Sequence, residues 1–122
     1  MYEKVSAMSQ WEPYMRDWQG FVSPYQRSAD PAGQFRGLAV AAGLQVRDVT
    51  APRRTFVYSS RAELEAALAA VSPFVSRVPE HDRHDYVRDC ADAVICITGV
   101  DERGAVTSEY QLIVACVARG NR

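Results

Sequence analysis

The sequence predicts an α/β chain, α+β when taken by itself: an antiparallel strand pair with four to five helices. Three stretches carry that prediction. Glu109–Ala118 reads EYQLIVACVA, apolar at Tyr110, Leu112, Val114, Cys116 and Ala118 and again at Ile113, Ala115 and Val117. Apolar residues on both faces describe a strand covered on both sides, and Ile, Val and Tyr at this density favour the pleat over a helix. Leu44–Tyr58 is the nearest partner for it, and between the two lie helices opened by cap residues. A buried strand needs partners for its N–H and C=O groups. The rest of the chain, or another chain, has to supply them.

Bulk properties exclude more than they identify. At 122 residues this is a single domain, long enough to bury roughly two thirds of its unfolded surface. Fourteen Lys+Arg against 15 Asp+Glu give a net charge of -1, so there is no basic field of the kind that binds nucleic acid. Cys90, Cys96 and Cys116 are an odd number without zinc spacing and read as reduced, mostly buried thiols of a cytoplasmic protein. No apolar run approaches the ~18 residues of a membrane span, and no signal peptide opens the chain.

Taken in order, Tyr2–Ser9 makes about two helical turns, with Tyr2, Val5 and Met8 at helical spacing. Beginning in the middle of an amphipathic turn suggests sequence upstream of Met1. Asp30 is an N-cap and Pro31 the first residue of a helix expected over Pro31–Ala42, with Phe35, Leu38, Ala39 and Ala42 inward and Gly43 closing it. Leu44–Thr50 follows as a strand. Pro52 interrupts the ladder, so Arg54–Tyr58 continues it after a bulge or along an edge. Arg53 and Arg54 read as a solvated bend. Ser60-Arg61-Ala62-Glu63 is a capping box opening Arg61–Val71, with Leu64, Leu68 and Val71 buried. SPFVSRVPE is the elbow of an αα-hairpin, and a helix over Pro79–Val94 turns Tyr86, Val87, Cys90 and Val94 inward. Residues 99–104 turn the chain into the last strand. The expected count is two strands, and four or more would speak against it.

His81, His84 and Asp85 share one helical face. The spacing is not HExxH and no further ligand is at hand, so no metal site is expected. No G-x-S-x-G elbow exists, so no Ser-His-Asp hydrolase is expected either. The segment Trp11–Pro31 is different. Trp11, Tyr14, Trp18, Phe21 and Tyr25 fall within fifteen residues, interrupted by Pro13, Gly20 and Pro24. These breakers permit only short helical turns, and five large aromatics on such turns cover either the core or a ligand cavity.

WEPYMRDWQGFVSPYQRSADP, then FRGLAVAAGLQV, FVYSS, AVSPFVSRVPE, DYVRD and YQLIVA, occur in an order that resembles the C-terminal half of the juvenile hormone acid methyltransferase family. The resemblance runs from Tyr2 to Arg119. It implies the C-terminal part of a Rossmann-like class I methyltransferase, using S-adenosylmethionine to methylate an isoprenoid carboxylate such as juvenile hormone acid or farnesoic acid. Family members open with a βαβ unit whose Gly-rich turn holds the cofactor. The seven glycines here form no such turn. The resemblance therefore implies a truncated half, inactive alone, with no catalytic or cofactor-binding residues of its own. Its contribution would be an apolar wall for the isoprenoid chain, from Trp11, Tyr14, Met15, Trp18, Phe21, Tyr25 and Gln26. Two alternatives stay open: an interaction or dimerisation module whose exposed strand forms a homo-oligomer, and a small lipid-binding α+β domain.

Overall fold

The computed structural model describes residues 1–120. The chain is α+β, with four α-helices, four single 3-10 turns and two antiparallel strand pairs among those residues. Its contacts group into two compact units. One is Met1–Val22 with Phe56–Ser108; the other is Ser23–Thr55 with the chain from Glu109 on.

The first unit is helical. Helix α1 spans Tyr2–Ser6, and 3-10 turns at Glu12–Tyr14 and Trp18–Phe21 carry the aromatic segment. The capped helix after the second strand is Arg61–Val71, α3 by chain order. The last helix, α4, is Arg83–Thr98, entered through a 3-10 turn at Glu80–Asp82. Ser60 Oγ accepts from the Glu63 N–H at 3.2 Å, as the capping box requires. Glu63 reaches back one residue further than expected, accepting from the Ser59 N–H at 2.9 Å. Val5, Trp11, Met15, Phe74, Val78, Tyr86, Cys90 and Ala93 form one buried cluster, and Leu64, Ala91 and Val106 a second. Phe74, from the elbow, and Tyr86, from α4, are fully buried. Each large apolar side chain removed from water in this way contributes about 1.5–3 kcal/mol. Arg61 ties α3 to α4 by meeting Asp92 at 2.7 Å and the Arg88 carbonyl at 3.1 Å. Val71, expected inward, is exposed at the end of its helix.

The second unit is thinly packed. Helix α2 spans Pro31–Ala41, with Asp30 accepting from the Gly33 N–H at 3.0 Å. It stops before Gly43, whose φ of 83° suits a residue without Cβ. Strand β1, Leu44–Thr50, pairs antiparallel with β4, Val114–Arg119, from Leu44 opposite Arg119 to Thr50 opposite Val114, with a shift between Val46 and Asp48. Among the described residues of this unit only Pro31 and Ala39 are buried. Leu38 and Ala42, expected on the inner stripe of α2, are exposed.

The strand count is corrected: there are four strands rather than two. The expected long pair is cut into β1 with β4 and β2, Arg53–Tyr58, with β3, Val106–Gln111. The cause is local. Pro52 has no N–H to donate, so it contributes only a carbonyl, which accepts from Leu112 at 3.0 Å. Gln111 Nε2 meets the Ala51 carbonyl at 2.9 Å, a side chain standing in for a ladder donor. The expectation of a final strand covered on both sides is corrected too. β4 has a single partner strand, and Val114 and Val117 are 48% and 39% exposed.

Candidate functional site

A cavity of about 620 Å³ opens in the second unit beside the break in the ladder. Ser23, Tyr25 and Gln26 line it from the turn before α2, and Pro31 from the first turn of that helix. Arg53 lines it from the start of β2; Glu109, Tyr110 and Gln111 from the end of β3; and Ile113 from the break. The volume is within the range of small-molecule sites, roughly 300–1,000 Å³. Chain geometry explains why it lies there. Where Pro52 and Leu112 leave regular pairing, the two backbones no longer hold side chains in alternating, closely spaced rows, and space opens between them. Ser23 Oγ accepts from the Tyr25 N–H at 3.3 Å, fixing the turn that carries Tyr25. Tyr25 and Gln26, expected as ligand-facing residues, are therefore on the wall. Arg53, expected in a solvated bend, is there too.

The other five expected residues belong to the first unit. Trp11 and Met15 are fully buried. The Trp11 indole donates to Asp89 Oδ2 at 2.7 Å and meets the Tyr86 ring edge-on at 5.3 Å, while the Tyr86 hydroxyl donates to the Met15 sulfur at 3.6 Å. Tyr14 and Trp18 are half-buried against the same cluster, and Phe21 is 46% exposed, edge-on to Phe74 at 5.1 Å. Arg77 binds Asp17 through Nη1 and Nη2 at 2.6 and 3.1 Å and lies over the rings of Phe21 and Phe74. The Arg77 guanidinium holds the Asp17 carboxyl below the usual carboxylate range. That clamp fixes the second 3-10 turn and is already saturated.

Burial pushes the Cys90 thiol up to about 11, and pushes the Tyr86 hydroxyl up strongly as well. Both stay protonated at neutral pH and fit the interior rather than chemistry. The expectation of mostly buried cysteines is corrected: Cys96, on the outer side of α4, and Cys116, on the thinly covered β4, are exposed. His81 is exposed beside Asp82 at 3.4 Å, and no group of three metal-ligating side chains occurs among the described residues. No described helix is long and apolar enough to cross a membrane.

Sequence reasoning missed Ser23, Pro31, Arg53, Glu109, Tyr110, Gln111 and Ile113 as lining residues. The usable signal was Pro52 itself, because a ladder break is where a sheet opens. No protein-family model matches the chain. Two curated proteins do. Juvenile hormone acid O-methyltransferase of Drosophila melanogaster is 27% identical over 119 residues, covering 94% of this chain and 40% of that protein. The Bombyx mori protein of the same name is 23% identical over 120 residues, covering 93% and 42%. The chain thus spans about two fifths of the length of the curated relatives it matches. Along nearly its own whole length the chain is similar to the juvenile hormone acid O-methyltransferases, and the two matches support its relationship to that family.

Proposed function

We propose that the chain is the substrate-side part of an S-adenosylmethionine-dependent carboxyl O-methyltransferase of the cytoplasm, and that the cavity of its second unit receives an isoprenoid carboxylic acid. The observation that carries the reading is the match to two juvenile hormone acid O-methyltransferases over more than nine tenths of the chain. The cavity adds independent support, since it has small-molecule size and includes Tyr25 and Gln26 on its wall. In the first unit Tyr14, Trp18 and Phe21 keep exposed surface, and Trp11 and Met15 are the core on which they stand.

The described residues do not fit the cofactor. Both strand pairs are antiparallel, and the positive-φ glycines, Gly43, Gly99 and Gly104, close helices or a turn instead of joining a parallel strand to a helix. What these residues contribute is binding, orientation and exclusion of water. A carboxylic acid is already ionised at neutral pH, so its methylation needs no general base from this chain. Calorimetry on the chain tests both halves of the reading. Farnesoic acid should bind saturably, and S-adenosylmethionine should not bind at micromolar concentration. An isoprenoid acid that fails to saturate would sink the substrate-side reading.

A second reading has its own observation. The two-stranded β1–β4 sheet leaves Val114 and Val117 exposed, as an interaction module that pairs through its sheet would.

A further inference from the structure

We infer that Arg53 is the anchor for the carboxylate of the molecule that enters the cavity of the second unit, with Glu109 offsetting part of that grip. The inference rests on that cavity being the acid's site.

Arg53 and Glu109 are the two charged side chains on the wall. The Arg53 guanidinium makes no hydrogen bond or ion pair among the described residues. Arg61 and Arg77 set the contrast. Arg61 meets both Glu65 and Asp92, and Arg77 holds Asp17 through two nitrogens, so their donors are committed within the protein. Arg53 keeps its planar fork of donors for a ligand, in the geometry that suits a carboxylate accepting two parallel hydrogen bonds.

Its backbone is well placed for the task. Arg53 follows Pro52, whose carbonyl is held by the Leu112 N–H, and Ala51 is held by the Gln111 side chain. The chain on either side of the ladder break is thus tied down, and the guanidinium is carried by a fixed segment at the start of β2. Tyr25, Pro31 and Ile113 give the same cavity apolar surface for the body of a ligand whose head is on Arg53. Glu109 makes the sum of the wall charges zero. Each negative charge on the head then meets attraction from Arg53 and repulsion from Glu109, so Glu109 offsets part of what Arg53 contributes and limits the gain from a second charge.

The test is titration calorimetry of the 122-residue chain at neutral pH with farnesoic acid, its methyl ester and farnesyl monophosphate. The ester keeps the isoprenoid body and removes the charge; the phosphate adds one. Wild type should bind the acid about ten- to a hundredfold more tightly than the ester, the range of a charge-assisted hydrogen-bonded pair. Arg53→Gln should remove that preference by weakening the acid far more than the ester, Arg53→Lys should restore part of it, and Glu109→Gln should tighten the acid and, more strongly, the phosphate. Arg53 is exposed and makes no internal bond, so both Arg53 variants should melt at the wild-type temperature. If acid and ester bind equally to wild type, or Arg53→Gln holds the acid as well as wild type does, the anchor is overturned while the cavity remains the substrate site. If neither acid nor ester binds, the cavity assignment falls and the anchor falls with it.

Discussion

Cys90 and Cys116 are one residue type under opposite conditions. Cys90 is buried beside Tyr86, and burial raises its thiol to about 11 against a smaller lowering by the Tyr86 hydrogen bond; Cys116 is exposed on β4. Thiolate, not thiol, reacts with alkylating reagents. At mildly alkaline pH iodoacetamide should therefore label Cys96 and Cys116 quickly and Cys90 only as the protein opens, read by mass spectrometry of the intact chain; three equal rates would contradict the buried placement. The same shift sets a pH dependence. The folded pKa of Cys90 lies above its ordinary value of 9.0, so above about pH 9 the unfolded chain sheds a proton that the folded chain keeps. Stability from this group is present in full below pH 9 and is lost as pH rises towards 11, and the raised Tyr86 hydroxyl acts in the same direction. Urea midpoints at pH 7, 9 and 11 should be level and then fall. Trp11 and Trp18 divide similarly. Trp11→Ala empties a fully buried site and removes the indole donor from Asp89 Oδ2, and should cost about 3–5 kcal/mol; Trp18→Ala, from a half-buried ring, should cost less. Melts of the two variants that match would return Trp18 to the core.

At the scale of elements, the caps made two helices, α2 and α3, readable from sequence. Asp30 and Ser60 act on backbone groups within a few residues, so nothing distant needs to be known. Ser60→Ala should lower stability by about 1 kcal/mol, seen as a lower melting temperature, and an unchanged melt would mean that the Glu63–Ser59 bond alone holds the start of α3. The strands were readable only in position. Period-two patterning marked Leu44–Tyr58 and Glu109–Ala118, but it reports what a side chain prefers and not what covers it. β4 carries the pattern of an interior strand and has one partner. The division of the aromatic segment was also out of reach. Trp11 and Tyr25 look alike in a window of aromatics and breakers, yet one closes on Asp89, 78 residues away, and the other lines a cavity with residues of β2 and β3. Arg53 was missed for the same reason. Whether an arginine is paired depends on which carboxylates are near in space, and the sequence places Arg54 beside it with equal standing.

At the scale of the whole molecule, the two units differ in how much they bury. The first holds both hydrophobic clusters; the second buries Pro31 and Ala39 and leaves Leu38, Val40, Val114 and Val117 between 39% and 59% exposed. Local opening free energy follows the apolar contact that opening breaks. Amide hydrogen exchange should accordingly be slowest in α4 and much faster in β1 and β4, and equal protection would show that the sheet is covered in solution. Association is the other consequence. A sheet with a free edge and exposed apolar side chains is a template for a second strand, and a net charge of -1 supplies little repulsion between copies. The chain should therefore grow in apparent mass with concentration by light scattering. Val117→Lys places a charge on β4 at a position already 39% exposed, so it should shift the mass towards the monomer without lowering the melting temperature. Farnesoic acid titrated into the monomeric variant then separates the two functional readings: an interaction module loses its property with Val117→Lys, whereas a substrate wall keeps its affinity for the acid. A wild-type chain that stays monomeric at every concentration and unfolds cooperatively would show instead that the β1–β4 sheet needs no further cover.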